Sequence, residues 1–268
     1  MAGAKLSMVQ RVLAACGLAM VAGCSSISPS ALENATPERL YSDARDEIST
    51  GSWDKAIPLL ERLEGRAAGT PLAQQAQIEK AYAQYRAGDT AQAQATLDRF
   101  IRLHPASAAL DYAFYLKGLV NFNDQLGLFS WLTRQDLSER DQKAAKESYA
   151  SFRELSTRFP DSRYTADALE RMTYIVNSLA QYEVHVARYY FDWGAYVAAI
   201  GRAQSAITDY QGVPAQEEAL FILHRSYERL GMTQLAADTR RVLAQNYPSS
   251  EFLTRGFRSR QDPWWKIW

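Results

Sequence analysis

The sequence predicts an all-α fold in which antiparallel helix pairs repeat about five times. Three observations predict it: a Gly and an Ala recur at a fixed spacing, a Pro recurs behind them, and apolar residues between them follow helical periodicity. The recurring pairs are Gly51 with Ala56, Gly88 with Ala93, Gly194 with Ala199, and Gly231 with Ala236. The first two pairs are 37 residues apart, and so are the last two. A regular spacing of Gly and Pro disfavours a coiled coil, the competing all-α fold.

Each recurring residue has a physical role in a helix pair. The Gly follows the first helix, where a positive φ is often required, and the Ala lets the second helix approach the first closely. A Pro ends the second helix, as Pro105 and Pro248 do twelve residues after their Ala. Pro160 stands at the same distance from Ser148, which completes a fifth unit. The pattern resembles the tetratricopeptide repeat (TPR), and this resemblance implies a right-handed superhelical solenoid.

The repeats divide the chain into consecutive segments. We predict helices over 38–50, 53–65, 72–87, 90–103, 108–122, 141–159, 163–192, 195–209, 215–230 and 233–246. An N-terminal half, 38–122, holds repeats 1 and 2 and the start of repeat 3, and 123–140 is an insertion in repeat 3. A C-terminal half, 141–248, holds the rest of repeat 3 and repeats 4 and 5. A Trp-rich tail follows over 249–268.

The first residues, 1–23, have the character of an export signal. Two cations precede an apolar run over 12–22, which is too short to span a bilayer because spanning takes about 20 apolar residues. The run ends in Val-Ala-Gly-Cys24, which resembles the lipobox of bacterial lipoproteins. The resemblance implies cleavage before Cys24 and attachment of S-diacylglycerol and an N-acyl chain to it.

The segment after the lipobox links the lipid to the repeats. Residues 24–37 are small and polar with two prolines, and we interpret them as a lipidated flexible tether. Ser25 follows the Cys, where an Asp would favour retention in the inner membrane. The outer membrane is therefore the expected location.

The residue patterns typical of catalytic, metal-binding and nucleic-acid-binding sites are largely missing from the sequence. Thirty basic and thirty acidic side chains balance, so no nucleic-acid footprint is present at the level of the whole chain. His104, His185 and His224 lack a metal-ligand spacing, and no Gly-rich phosphate loop or nucleophile elbow occurs. We therefore predict a binding scaffold with no cofactor and no enzymatic activity.

Aromatic residues and one arginine are the candidates for binding. An aromatic group surrounds the end of the long helix, and we interpret most of it as core between repeats. Its members are Tyr182, Tyr189, Tyr190, Phe191, Trp193 and Tyr196. Phe129 and Trp131 in the insertion either fold back as a plug or form a contact patch. Arg202 is either a solvated cation or an interface anchor, a role that Arg often has.

Several stretches, taken in order, resemble the BamD (ComL) family of TPR lipoproteins of the β-barrel assembly (BAM) machinery. They are 98–105, 111–112 with 117–119, 159–164, 180–183 and 194–202. The resemblance covers about residues 18 to 246. It implies a location on the periplasmic face of the outer membrane, in a complex with BamA and other BAM lipoproteins.

The resemblance also implies which parts bind which partner. The C-terminal repeats would bind the last periplasmic POTRA domain of BamA, with Arg202 and Tyr196 as candidate contacts. The N-terminal repeats would bind unfolded outer-membrane proteins, whose last strand ends in an aromatic residue. The resemblance is silent about the tail, so the candidate client or tail contacts come from the residues themselves: Phe129, Trp131, Trp264, Trp265 and Trp268.

The tail and the function leave alternatives open. The three tail Trp side chains either cover an apolar patch, lie at the membrane interface, where Trp is favoured, or mimic a client in the peptide groove. A TPR lipoprotein scaffold of the peptidoglycan or cell-division machinery is the alternative function. A murein-acting enzyme is disfavoured, because no catalytic carboxylate has a recognisable setting.

Overall fold

A computed structural model describes residues 34–122 and 142–257, and every regular element in those ranges is an α-helix. The helices are α1 Pro37–Ser49, α2 Trp53–Arg66, α3 Pro71–Arg86, α4 Thr90–Leu103, α5 Leu110–Asn121, α6 Gln142–Arg158, α7 Thr165–Asp192, α8 Tyr196–Asp209, α9 Ala215–Arg229, α10 Thr233–Asn246 and α11 Glu251–Arg255. The predicted all-α, TPR-like fold is confirmed. The bounds of α1 to α10 lie within two residues of the predicted ones, whereas α11 was not predicted.

The turns inside the helix pairs explain the recurring Gly. Gly88 has φ 87° and Gly194 has φ 77°, a region in which L side chains are strained. At the first of these turns Asp89 N donates to Gln84 O (2.9 Å) and Gly88 N to Tyr85 O (3.1 Å), which satisfies the last carbonyls of α3. The same two bonds recur behind α1, α7 and α9, so the four predicted turns share one geometry.

The recurring small residues are buried where the helices of a pair meet. Ala56, Ala93 and Ala199 are fully buried, and so is Ser148, which takes the Ala position in repeat 3. Ser148 Oγ donates to the backbone oxygen of Gly118 on α5 (2.9 Å). Small side chains at these positions therefore permit the close approach of paired helices that the sequence predicted.

The chain forms two compact units, one up to Ala76 and one from Gln77. In the first unit, α1 packs on α2. The fully buried residues of α1 and α2 are Leu40, Ala44, Ala56, Leu60 and Leu63. From Gln77 onward, the rest of α3 and helices α4 to α10 form four consecutive helix pairs, and α11 packs on α9.

Two larger hydrophobic clusters support the second unit. One is centred on Phe100, Leu116 and Phe152 of the pairs α3–α4 and α5–α6, and the other is rich in alanines of α7, α8 and α9. Within the two described ranges, no helix is both long enough and apolar enough to cross a membrane.

Candidate binding surfaces

The stretches that carry the family resemblance contact one another in pairs. Lys117 Nζ donates to Asp98 Oδ1 (2.6 Å), which joins the stretches 117–119 and 98–105. Ser162 Oγ donates to Asp111 Oδ2 (2.7 Å), which joins 159–164 and 111–112. The first contact joins two neighbouring helix pairs, and the second joins α5 to the turn that follows α6.

The third contact of this kind involves Arg202, the predicted interface anchor. Arg202 Nη1 on α8 donates to Glu183 Oε2 on α7 at 3.0 Å. The Glu183 side chain is only 10% exposed, whereas the Arg202 side chain is 45% exposed. The hydrogen bond and charge of Glu183 raise the pKa of Arg202 above its ordinary value. The structure thus gives this arginine a carboxylate partner within the chain, and Glu183 was not singled out from the sequence.

Tyr196, the second residue predicted to contact BamA, links two neighbouring turns. Its ring lies edge-on to Phe191 at the end of α7, with centroids 5.4 Å apart. Arg229 at the end of α9 donates to its hydroxyl (3.3 Å) and lies 5.9 Å from its ring centroid. Tyr196 therefore holds the α7–α8 turn beside the α9–α10 turn.

These two turns expose large apolar side chains. Trp193 is 75% exposed and Val197 is 72% exposed, one on each side of Gly194. Leu230, 37 residues after Trp193, and Met232 lie at the equivalent turn and are also exposed. We call Trp193, Val197, Leu230 and Met232 the apolar edge.

The aromatic group around the end of α7 was interpreted as mostly core, and two of its six members are exposed. Trp193 and Tyr189 are exposed, with ring centroids 5.9 Å apart. Phe191 and Tyr190 pack against the core as expected. Trp193 is the residue that caps α7, so it lies at the exposed turn and not between packed helices.

A second surface is made by four half-buried tyrosines that lie on, or immediately before, the first helices of consecutive pairs. They are Tyr82 on α3, Tyr112 and Tyr115 on α5, and Tyr164 immediately before α7. Tyr164 stacks on Tyr115 at 4.8 Å and lies 5.3 Å from Tyr112, between ring centroids. We call these four residues the tyrosine strip.

Cations and a carboxylate border the tyrosine strip. Arg163 lies 4.7 Å from the ring centroid of Tyr164, and Arg86 Nη1 donates to the Tyr82 hydroxyl (2.8 Å). The Tyr115 hydroxyl donates to Asp167 Oδ2 (2.8 Å), which also accepts from Arg171 Nε (2.6 Å). Burial opposes ionisation of Asp167, but these hydrogen bonds outweigh it and hold the pKa of Asp167 below its ordinary value.

The described residues include no group of three His, Cys, Asp or Glu side chains that is arranged to hold a metal ion. Two of the histidines bond to neighbouring helices instead. His104 Nε2 lies 3.1 Å from Gln77 Oε1, and His224 Nδ1 lies 3.0 Å from Ala236 O. These histidines therefore join helices within their pairs.

Six of the predicted site residues lie outside the described ranges. They are Cys24, Phe129, Trp131, Trp264, Trp265 and Trp268. The lipidation, insertion and tail hypotheses therefore stay predictions.

Helix pairs with shared turns, an exposed apolar edge and an aromatic strip define a helical-repeat protein of the TPR type, a class whose surfaces bind other polypeptides. Residues 33–243 match the model of the YfiO family, described as outer membrane lipoprotein. The chain belongs to this family, which is that of the outer membrane protein assembly factor BamD.

The relatives that match the chain have this name in several organisms. BamD of Neisseria meningitidis serogroup B is 47% identical over 231 residues, which is 86% of each chain. BamD of Xylella fastidiosa is 36% identical over 87% of this chain and 80% of its own. BamD of Vibrio cholerae is 33% identical over 85% of this chain and 95% of its own. The resemblance inferred from the sequence is confirmed.

Proposed function

We propose that this chain is a non-enzymatic scaffold for outer-membrane protein assembly. In this proposal a lipid on Cys24 holds it to the periplasmic face of the outer membrane, and its C-terminal helix pairs bind a POTRA domain of BamA. Its tyrosine strip binds unfolded outer-membrane proteins. The relatives' shared name, outer membrane protein assembly factor, supports this role. The observation that carries the BamA contact is the half-exposed Arg202 fixed by a buried Glu183.

The Arg202–Glu183 pair has the properties of a preorganised anchor. The hydrogen bond to Glu183 engages one terminal nitrogen of a guanidinium group that has five N–H donors. The exposed part of the group can therefore bind a second carboxylate while Glu183 holds its orientation. Fixing a side chain before binding reduces the ordering cost of association.

The apolar edge supplies the second component of such an interface. Trp193 precedes α8, the helix that carries Arg202, and Val197 lies within its first turn. Trp, Tyr and Arg are the residues that most often dominate the binding energy of protein interfaces. The apolar edge together with Arg202 is therefore the surface that we assign to BamA.

The test of this assignment must separate an interface role of Arg202 from its internal role. Arg202→Glu reverses the charge but also places two carboxylates together, so we pair it with the swap Glu183→Arg/Arg202→Glu, which restores an internal ion pair. Arg225→Glu is the matched control, because Arg225 is 40% exposed and paired with Glu228 (2.7 Å). Recovery of BamA from detergent-solubilised outer membranes is measured by affinity purification and mass spectrometry.

If Arg202 binds a carboxylate of BamA, both Arg202→Glu and the swap weaken recovery, by about 2–5 kcal/mol when the pair is desolvated. Arg225→Glu should recover BamA as the unchanged chain does. Restored recovery in the swap would assign Arg202 an internal role only. Recovery of murein-linked partners in place of BamA would favour the alternative scaffold of the peptidoglycan or cell-division machinery.

The client-binding role is assigned to the tyrosine strip for its chemistry. Half-buried phenol rings offer a flat apolar surface with a polar rim, and the neighbouring arginines can bind backbone carbonyls or carboxylates. An extended, aromatic-rich segment of an unfolded barrel strand is complementary to that combination.

Site-specific photocrosslinking tests whether the tyrosine strip binds a client while the other three tyrosines stay in place. A benzophenone amino acid at Tyr164 should crosslink to an unfolded outer-membrane protein added to the purified chain. The control position is Leu103, which is 60% exposed on α4, a second helix of its pair. Equal crosslinking at the two positions would contradict a specific groove.

A further inference from the structure

The last described residues make an aromatic contact that the helix repeats do not require. α11 packs on α9 through Phe252, whose ring stacks on that of Phe221 at 5.2 Å. Gly256 follows with φ 74° and ψ −153°, a conformation accessible essentially only to Gly. It redirects the chain, so that Phe257 lies against helices of two different pairs.

Three residues surround the ring of Phe257. Phe221 on α9 lies edge-on with centroids 4.8 Å apart, and Phe191 at the end of α7 lies at 5.1 Å. The guanidinium carbon of Arg188 on α7 lies 4.9 Å from the ring centroid. We call Arg188, Phe191 and Phe221 the aromatic seat.

The direction of the chain distinguishes this contact from another repeat. Phe252 contacts α9, whereas five residues later Phe257 also contacts α7, the first helix of the preceding pair. Gly256 and Phe257 therefore lead back towards the first helix of the preceding pair instead of extending the stack. Phe252 already covers the end of the last helix pair, because it is buried against Phe221 and Leu243. Phe257 remains only half-buried.

The aromatic seat is held in place by contacts that do not involve Phe257. Arg188 Nη1 pairs with Glu218 Oε1 on α9 at 3.3 Å, and Phe191 contacts Tyr196. A cation near the ring together with two neighbouring aromatic rings is an environment that favours an aromatic side chain over an aliphatic one of similar size.

We propose that the aromatic seat is a peptide-binding site of this chain and that Phe257 is its resident ligand. An extended partner segment binds there by inserting an aromatic side chain in place of Phe257. Because a short tether gives Phe257 an effective concentration in the millimolar range, partners at micromolar concentration compete poorly until they bind additional surfaces. This proposal goes beyond the assembly role above and does not depend on the identity of BamA or of any client.

The test uses the chain's own segment as the probe. A fluorescein-labelled peptide of residues 254–261 is titrated with the purified mature chain and with its Phe257→Ala variant, and binding is followed by fluorescence anisotropy. The variant should bind the peptide at least about tenfold more tightly than the unchanged chain, because its seat is vacated. Equal affinity for both proteins, or no binding to a folded Phe257→Ala chain, would overturn the proposal.

Variants of the peptide and of the seat test its specificity. A Tyr in place of Phe257 in the peptide should bind, and a Leu should bind at least about tenfold more weakly, because the cation–π contact is lost. Adding Phe191→Ala to the Phe257→Ala chain should abolish binding. The matched control is Tyr174→Ala, which removes a half-exposed ring from the same helix far from the seat and should leave binding unchanged.

A second readout covers the case in which Phe257→Ala does not fold. The unchanged chain is labelled with 4-fluorophenylalanine at position 257 alone. Excess unlabelled peptide should move its ¹⁹F signal to the position of the labelled peptide free in solution. A signal that does not respond at any peptide concentration would contradict displacement of Phe257.

Discussion

Tyr112 lies in the tyrosine strip, where its surroundings oppose the ionisation of its hydroxyl group. Burial, followed by the neighbouring Tyr164 and Tyr82, raises its pKa from 10.0 to about 12. A raised pKa in the folded state means that its contribution to stability is complete below pH 10. That contribution is lost as the pH rises from 10 to about 12, because only the unfolded chain ionises in that interval.

We therefore expect alkaline unfolding to depend on Tyr112. Between pH 10 and 12 the free energy of unfolding should fall by up to about 2 kcal/mol through this group, allowing for its partial exposure. The free energy of unfolding of the Tyr112→Phe variant should fall by up to about 2 kcal/mol less than that of the unchanged chain over the same interval. The measurement is urea unfolding at a series of pH values, and parallel pH curves for the two proteins would contradict the assignment.

Arg202 is a residue whose interaction partner could be predicted from the sequence only in part. The sequence left Arg202 as either a solvated cation or an anchor for a carboxylate on another protein. The structure places Glu183 beside it. Glu183 lies ten residues before Trp193 and Arg202 nine after it. In an antiparallel helix pair, residues equally distant from the turn face each other, so this spacing was the available signal.

At the scale of the helices, Gly and Pro made the boundaries predictable. These residues end helices for local reasons, a positive φ or a missing N–H, which do not depend on distant contacts. Helix α11 could not be found in this way, because it has only five residues and no full period of apolar positions. Its formation depends on Phe252 reaching α9, which is a tertiary contact.

The close approach of α5 and α6 gives a test at the same scale. A Cβ added to Gly118 would collide with the ring of the fully buried Phe152. Gly118→Ala should therefore lower the free energy of unfolding by about 1–3 kcal/mol, although Ala is the better helix former.

The matched control for this substitution is Gly201→Ala in α8. Gly201 is exposed, and an added Cβ there meets nothing within 4 Å. It should be neutral or stabilise by up to about 1 kcal/mol. Both variants are measured by chemical denaturation, and a Gly118→Ala chain as stable as the Gly201→Ala chain would show that α5 and α6 can separate without cost.

At the scale of the whole molecule, the candidate surfaces lie on the unit from Gln77 onward. The tyrosine strip belongs to α3, α5 and the start of α7, and the apolar edge with Arg202 belongs to the turns and helices that follow. The proposed division between client binding and BamA binding comes from the family resemblance alone. Burial and ring contacts identify the candidate residues of each surface. These contacts depend on which helices become neighbours, which the sequence does not state.

The proposed membrane anchor gives a test of the whole chain. Helix α1 begins at Pro37, so twelve residues separate it from Cys24 and extend over at most about 40 Å. The three acyl chains that the lipobox resemblance implies on Cys24 would exceed the two membrane signals that stable anchoring needs. Cys24→Ala should therefore leave an unprocessed chain that is not labelled by palmitate and does not fractionate with the outer membrane.

Cys16→Ala is the matched control for the anchor, because Cys16 is the other cysteine of the chain and lies within the apolar run of the signal. It should be processed, labelled and localised as the unchanged chain is. Membrane fractionation and palmitate labelling of both variants measure the result. A Cys24→Ala chain that matures and remains with the outer membrane would show that contacts of the folded repeats hold it there, and the lipid would then have no anchoring role.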